Sequence, residues 1–130
     1  QELATTAEKQ LANNNGLNLV IAANYGGQWD IAESAKKIAI KSVNGEIDPE
    51  KIDTSLFHAH SSLAEFPRVD LLVRTSGEVR ISNFLLWEIA YSELYFCSTL
   101  WPDFDEHELD AAIESFHSRE RRFGERNCEK

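Results

Sequence analysis

Three short apolar runs constrain this chain more than any other feature. They are residues 17–23 (LNLVIAA), 69–73 (VDLLV) and 93–97 (ELYFC). Each has strand length, and the first is apolar enough to be buried on both faces. Segments of helical period lie before, between and after them. Leu3, Ala7, Gln10 and Leu11 follow helical spacing, and Asn13-Asn14-Asn15-Gly16 supplies a stop. A helix is expected over 29–42, with Asp30 and Glu33 spaced as a capping box and Ile31, Ala35, Ile38 and Ala39 as its apolar stripe. One or two short helices are expected within 50–66, before Pro67 ends the segment. Residues 84–90 (FLLWEIA) read as a buried helix behind Ser82-Asn83 in capping position. A last helix is expected over 105–123, with Leu109, Ala112, Ile113, Phe116 and Phe123 on one face. Strands alternating with helices imply an α/β fold with a parallel sheet wrapped by helices, in a single domain spanning 1–130. Three strands make a thin sheet, and opening on a helix suggests that earlier strands are missing.

Composition narrows the function classes. The chain has 130 residues, 42% hydrophobic and 27% charged, as in globular domains. No apolar run approaches the roughly 20 residues of a membrane span. The formal charge of −9 argues against a general nucleic-acid binder, which needs a basic face. Cys97 and Cys128 form no C-x-x-C pair and suit a reducing cytosol better than a disulfide scaffold. The chain has no methionine, so a piece of a longer protein is the expectation.

The chemistry concentrates between the second and third runs, in RTSGEVRISNF (74–84). Arg74 ends the strand, where open α/β sheets place ligands. Arg80 follows in the connecting loop. Both are permanently charged and offer paired N–H donors to phosphate oxygens. Ser82 would cap the next helix and offer its hydroxyl to the same anion. The plain alternative is two surface ion pairs and an ordinary helix cap. Glu78 and Glu93 are the nearest carboxylates in sequence. Either could share Mg²⁺ with a bound diphosphate, or be an ordinary solvated or ion-paired side chain. Asn24-Tyr25-Gly26-Gly27 also follows a strand. Its glycines permit close backbone approach, or it is simply a tight turn. Arg119, Arg121, Arg122 and Arg126 crowd the end of the last helix, and acidic residues crowd its start. Both clusters complement the helix dipole, and the arginines could also meet an anion. His58, His60, His107 and His117 lack zinc-site spacing and read as structural or surface residues.

Taken in order, NYGG and WDIAESAKKIA, then RTSGEVRISNFLLWEIAYSELYF, WPDF and RERRFG resemble the bacterial cis-prenyltransferase family over nearly the whole chain. The resemblance implies the C-terminal part of the cis-prenyltransferase fold and a homodimer. It implies a Mg²⁺-dependent enzyme that adds isopentenyl diphosphate units to farnesyl diphosphate. The product would be undecaprenyl diphosphate, the lipid carrier of cell-wall synthesis. It also implies a cytoplasmic location, with the lipid product giving a peripheral link to the inner membrane.

Carried over by position, Arg74, Arg80, Ile81 and Ser82 match the cradle for the diphosphate of isopentenyl diphosphate. Glu93 matches a metal-associated glutamate. Glu78, Asn24, Arg119 and Arg121 match supporting positions, the last two in a tail that lies near the dimer partner's active site. Gln28 stands where close relatives usually carry arginine. Val79 stands where some carry histidine. The family's M-D-G-N-G-R-W signature, with its catalytic aspartate, has no equivalent here. The expectation is therefore that no catalytic residue lies in these 130 residues and that the chain alone has no turnover. The competing reading is a non-catalytic binding or dimerisation subunit of a prenyltransferase complex.

Overall fold

In the computed structural model of the protein, residues 2–119 are described. The elements are α1 (Glu2–Leu11), α2 (Gly27–Val43), α3 (Thr54–His58), β1 (Leu71–Arg74), β2 (Glu93–Phe96) and α4 (Glu106–His117). Short 3₁₀ turns lie at Pro49–Lys51 and Trp101–Asp103, each with proline at its start.

β1 and β2 pair in parallel, with Leu71 opposite Glu93 and Arg74 opposite Phe96. This bears out the parallel sheet wrapped by helices. Antiparallel neighbours can be joined by a hairpin, but a parallel pair needs a long crossover. The crossover here is the segment that carries RTSGEVRISNF. The pair is fastened beyond its ladder by Glu93 N–H donating to Asp70 O at 2.9 Å and Cys97 N–H donating to Arg74 O at 3.0 Å. Ile38 of α2, Leu72 of β1, Ile89 and Ala112 of α4 form the buried apolar core.

Four expectations fail. Residues 17–23 are not a strand. They join no ladder among the described residues, and Leu17, Leu19 and Ile21 are 94%, 80% and 81% exposed. An apolar sequence favours extended backbone, but a strand exists only where another strand exchanges hydrogen bonds with it.

Residues 84–90 form turns rather than a helix. Ser82, Asn83 and Leu85 have φ of 46°, 63° and 47°, which no right-handed helix accepts. A lone helical bond, Ile89 N–H to Leu85 O at 3.0 Å, survives there. Ser82 therefore caps no helix.

Asp30 is also misassigned as the cap of α2. The cap position is Gly26, and Asp30 lies buried inside the first turn. α4 begins as expected, with the Asp105 carboxylate accepting from Glu108 N–H at 3.1 Å. It ends at His117, capped by Ser118, rather than running on to 123. Arg121, Arg122, Phe123, Arg126 and Cys128 lie outside the described residues.

Candidate functional site

Arg74 closes β1 at its carboxyl end. The turn after it is stapled to the chain leaving β2: Ser76 N–H donates to Thr99 O at 2.8 Å, and Gly77 N–H to Cys97 O at 2.9 Å. Ser76 and Gly77 both have positive φ, 68° and 70°. Gly77 adopts this freely, whereas Ser76 does so at steric cost, which the two main-chain bonds offset. Arg74 is half-buried and has no ion-pair partner among the described residues. A half-buried guanidinium without a carboxylate leaves its donor fork free for an anion.

Arg80 differs. It is ion-paired with Glu78, and its side chain is largely solvent-exposed. Ile81 is half-buried, and Ser82 is exposed on the loop with positive φ.

Glu93 does not join this group. It opens β2 opposite Leu71, whereas Arg74 ends β1 opposite Phe96. Three strand steps separate the two levels, roughly 10 Å, and an odd offset puts the side chains on opposite faces. The Glu93 carboxylate instead accepts a charge-assisted bond from Arg119 Nη1 at 2.8 Å. The expected metal-associated glutamate and one expected supporting arginine thus meet each other rather than Arg74.

Mg²⁺ prefers oxygen ligands and keeps several waters. Among the described residues no cluster of His, Cys, Asp or Glu could hold a metal, and Glu93 is already engaged. These residues alone do not make a metal site.

The other side of the Arg74–Phe84 loop rests on the 24–28 turn. Asn24 is exposed with φ 55°. Gly27 N–H donates to Asn83 O at 2.7 Å, and Gln28 N–H donates to the Asn83 side-chain oxygen at 2.8 Å. A Cβ on Gly27 would fall 2.7 Å from Leu86 Cγ, so only glycine fits beneath this loop. The sequence signalled a close approach through its paired glycines, but not what approaches.

A buried network behind the turn escaped sequence reasoning. Asp30 is 3% exposed and accepts from Ser62 N–H at 3.0 Å and Ser62 Oγ–H at 2.8 Å. Tyr25 O–H donates to its other oxygen at 3.0 Å. Burial, then the bond to Asp30 and its charge, then the charge of Glu88, push the Tyr25 hydroxyl well above the ordinary phenol range. The Tyr25 ring in turn meets Phe84 edge-on, with centroids 6.0 Å apart. Asp30 thereby orients the tyrosine that supports the loop. An acidic residue in a first turn gave no sign that its partner would be Ser62.

An apolar cleft of about 580 Å³ opens beside this network. Leu17, Val20, Leu63, Phe84 and Leu85 line it, with Tyr25 and Glu88 among its polar groups. Glu88 is 2% exposed, and neither carboxylate oxygen has a hydrogen-bond partner among the described residues.

Known proteins with this sequence and shape point one way. The family model described as putative undecaprenyl diphosphate synthase matches residues 1–124. The Vibrio parahaemolyticus protein named ditrans,polycis-undecaprenyl-diphosphate synthase ((2E,6E)-farnesyl-diphosphate specific) is 53% identical over 95% of this chain and 49% of its own length. The protein of the same name from Escherichia coli K12 is 51% identical over the same shares. The chain thus spans about half the length of the curated relatives it matches.

Among solved structures, lavandulyl diphosphate synthase from Lavandula x intermedia, in complex with dimethylallyl diphosphate, superposes with a TM-score of 0.91. It is 42% identical over 96% of this chain and 54% of its own. A probable undecaprenyl diphosphate synthase from Campylobacter jejuni gives 0.79 at 30% identity, over 95% of this chain and 55% of its own. The span matched by the family model, residues 1–124, includes the strand, turn and loop described above. The chain belongs to the undecaprenyl diphosphate synthase family of prenyltransferases.

Proposed function

We propose that this chain is the C-terminal portion of a cis-prenyltransferase and that it carries the cradle for isopentenyl diphosphate. The observation that carries the reading is Arg74: a half-buried guanidinium at the carboxyl end of a parallel strand, with no carboxylate paired to it among the described residues. Arg80, Ile81 and Ser82 complete the cradle from the loop. Glu78 holds Arg80 until an anion competes for it.

In the parent enzyme farnesyl diphosphate loses its diphosphate. The resulting allylic carbon is attacked by the double bond of isopentenyl diphosphate, and a proton is then lost. Repetition gives undecaprenyl diphosphate. The role of these residues is to fix the attacking substrate by its diphosphate, so that the double bond faces the allylic carbon. They anchor a group that does not react, and their effect is on position rather than on bond breaking.

Mg²⁺ would supply charge neutralisation at the diphosphates. Glu93 would contribute one carboxylate to it after releasing Arg119, with the remaining ligands from outside the described residues. Membership of the family implies a homodimer, and the lipid tail of the product would hold it at the inner face of the cytoplasmic membrane. No helix among the described residues is long and apolar enough to cross a membrane.

Radiolabelled isopentenyl diphosphate, supplied with farnesyl diphosphate and Mg²⁺, tests the reading. The 130 residues are expected to retain label as bound substrate and to form no longer product. Label incorporated into polyprenyl chains by these residues alone would refute the division of the site. Absence of any retained label would refute the cradle.

A further inference from the structure

The amide groups that open α2 are answered from far away in sequence. A helix leaves its first N–H groups without internal partners, and a side chain at the cap position usually accepts from one of them. Here the cap is Gly26, which has no side chain to offer. Its place is taken by Asn83, whose main-chain oxygen accepts from Gly27 N–H at 2.7 Å and whose side-chain oxygen accepts from Gln28 N–H at 2.8 Å.

Asn83 itself sits at φ 63° next to Ser82 at φ 46°, with Leu85 at φ 47°. Three non-glycine residues at positive φ within four positions form a strained loop, which persists only where surrounding contacts hold it. The two bonds to α2 are such contacts. The loop lies so close to the turn that a Cβ on Gly26 would stand 3.0 Å from Asn83 Nδ2. The Gly27 and Gln28 amides at the start of α2 are thus both taken by Asn83.

We propose that Asn83 is a positioning residue of the cradle: it anchors the strained 81–85 loop on the start of α2 and so fixes the Ser82 hydroxyl and the Ile81 main chain that follow Arg80. The proposal rests on the cradle reading above, and it assigns to the NYGG turn a supporting role that Gln28 fulfils with its main chain.

The test uses the 130-residue chain with inorganic diphosphate as probe. Asn83→Gly permits the positive φ, keeps the main-chain oxygen and removes the side-chain acceptor, at the cost of a freer backbone. Gly26→Ala displaces the Asn83 side chain without altering Asn83 itself. Arg74→Ala reports on the cradle independently. Amide hydrogen exchange of Gln28, diphosphate affinity by calorimetry and far-UV circular dichroism are measured on all of them.

Asn83→Gly is expected to speed Gln28 exchange about five- to tenfold and to weaken diphosphate binding by a similar factor, with the helical signal kept. Gly26→Ala is expected to reproduce both effects. Faster Gln28 exchange with unchanged diphosphate affinity, while Arg74→Ala weakens binding, overturns the positioning role and leaves the cradle standing. Unchanged Gln28 exchange in both loop variants overturns the clamp itself. An Arg74→Ala variant that binds as wild type, or a wild type that binds no diphosphate, overturns the cradle and the positioning role with it.

Discussion

Glu93 Oε2 and Arg119 Nη1 lie 2.8 Å apart, so the start of β2 is tied to the chain just beyond α4. The side chains are 25% and 40% exposed, respectively, which places the pair close to solvent. Exposed pairs contribute about 0.2–1 kcal/mol and weaken with salt. A double-mutant cycle with Glu93→Gln and Arg119→Ala is expected to give a coupling in that range in urea denaturation, shrinking at high ionic strength. A coupling of several kcal/mol, or one insensitive to salt, would show that the pair is buried more deeply than the geometry says.

Tyr25 gives a pH prediction. Its hydroxyl is raised above the ordinary phenol value by burial first, then by Asp30 and Glu88. The folded form therefore keeps its proton where the unfolded chain begins to release it, near pH 10. The Tyr25 contribution to stability is complete below that pH and is lost as pH rises toward the folded-state value. Ultraviolet titration of the phenols should show one of the chain's three tyrosines lagging behind the others. Tyr25→Phe should remove the lagging step and flatten the alkaline loss of stability. Three tyrosines titrating together would contradict the network.

Glu88 carries the opposite expectation from most buried substitutions. Its carboxylate is 2% exposed with no hydrogen-bond partner among the described residues. Placing an unpaired charge in such a setting costs several kcal/mol, and an apolar residue of similar volume avoids it. Glu88→Leu is expected to raise the stability of this chain by about 1–4 kcal/mol, read from the urea midpoint at constant slope. A lower midpoint would mean that Glu88 has a partner that the described residues do not supply.

Elements specified by local residues are legible in the sequence, and those that depend on distant partners are not. α2 was expected over 29–42 and runs from Gly27 to Val43, because its period and its flanking glycines are both local. β1 and β2 were legible as apolar runs of strand length. The run at 17–23 is at least as apolar and is not a strand among the described residues, since its status depends on a pairing partner rather than on its own residues. FLLWEIA has helical propensity throughout, yet Ser82, Asn83 and Leu85 leave the helical region where the loop meets Gly27. Propensity is worth tenths of a kcal/mol per residue, and tertiary contacts override it.

Arg74 stands out in the sequence because a strand end and a permanently charged residue coincide there, and the structure places it, half-buried, at the end of β1. Asn83 has the residue type of a helix cap, but the amide its side chain caps, Gln28 N–H, lies 55 residues earlier in the chain. Spacing pairs Asp30 with Glu33, three residues on, whereas its donors include Ser62, 32 residues away. Neither pairing leaves a periodic trace in the sequence.

The most direct measurement is calorimetric titration of the chain with isopentenyl diphosphate and, separately, with isopentenyl alcohol. Both carry the same apolar tail, so the difference reports recognition of the diphosphate alone. The account predicts binding of the diphosphate but not of the alcohol, with affinity reduced about tenfold or more in Arg74→Ala, as expected for losing a charge-assisted paired contact. Equal binding of the two compounds, or an Arg74→Ala variant that binds the diphosphate as tightly as wild type, would contradict it.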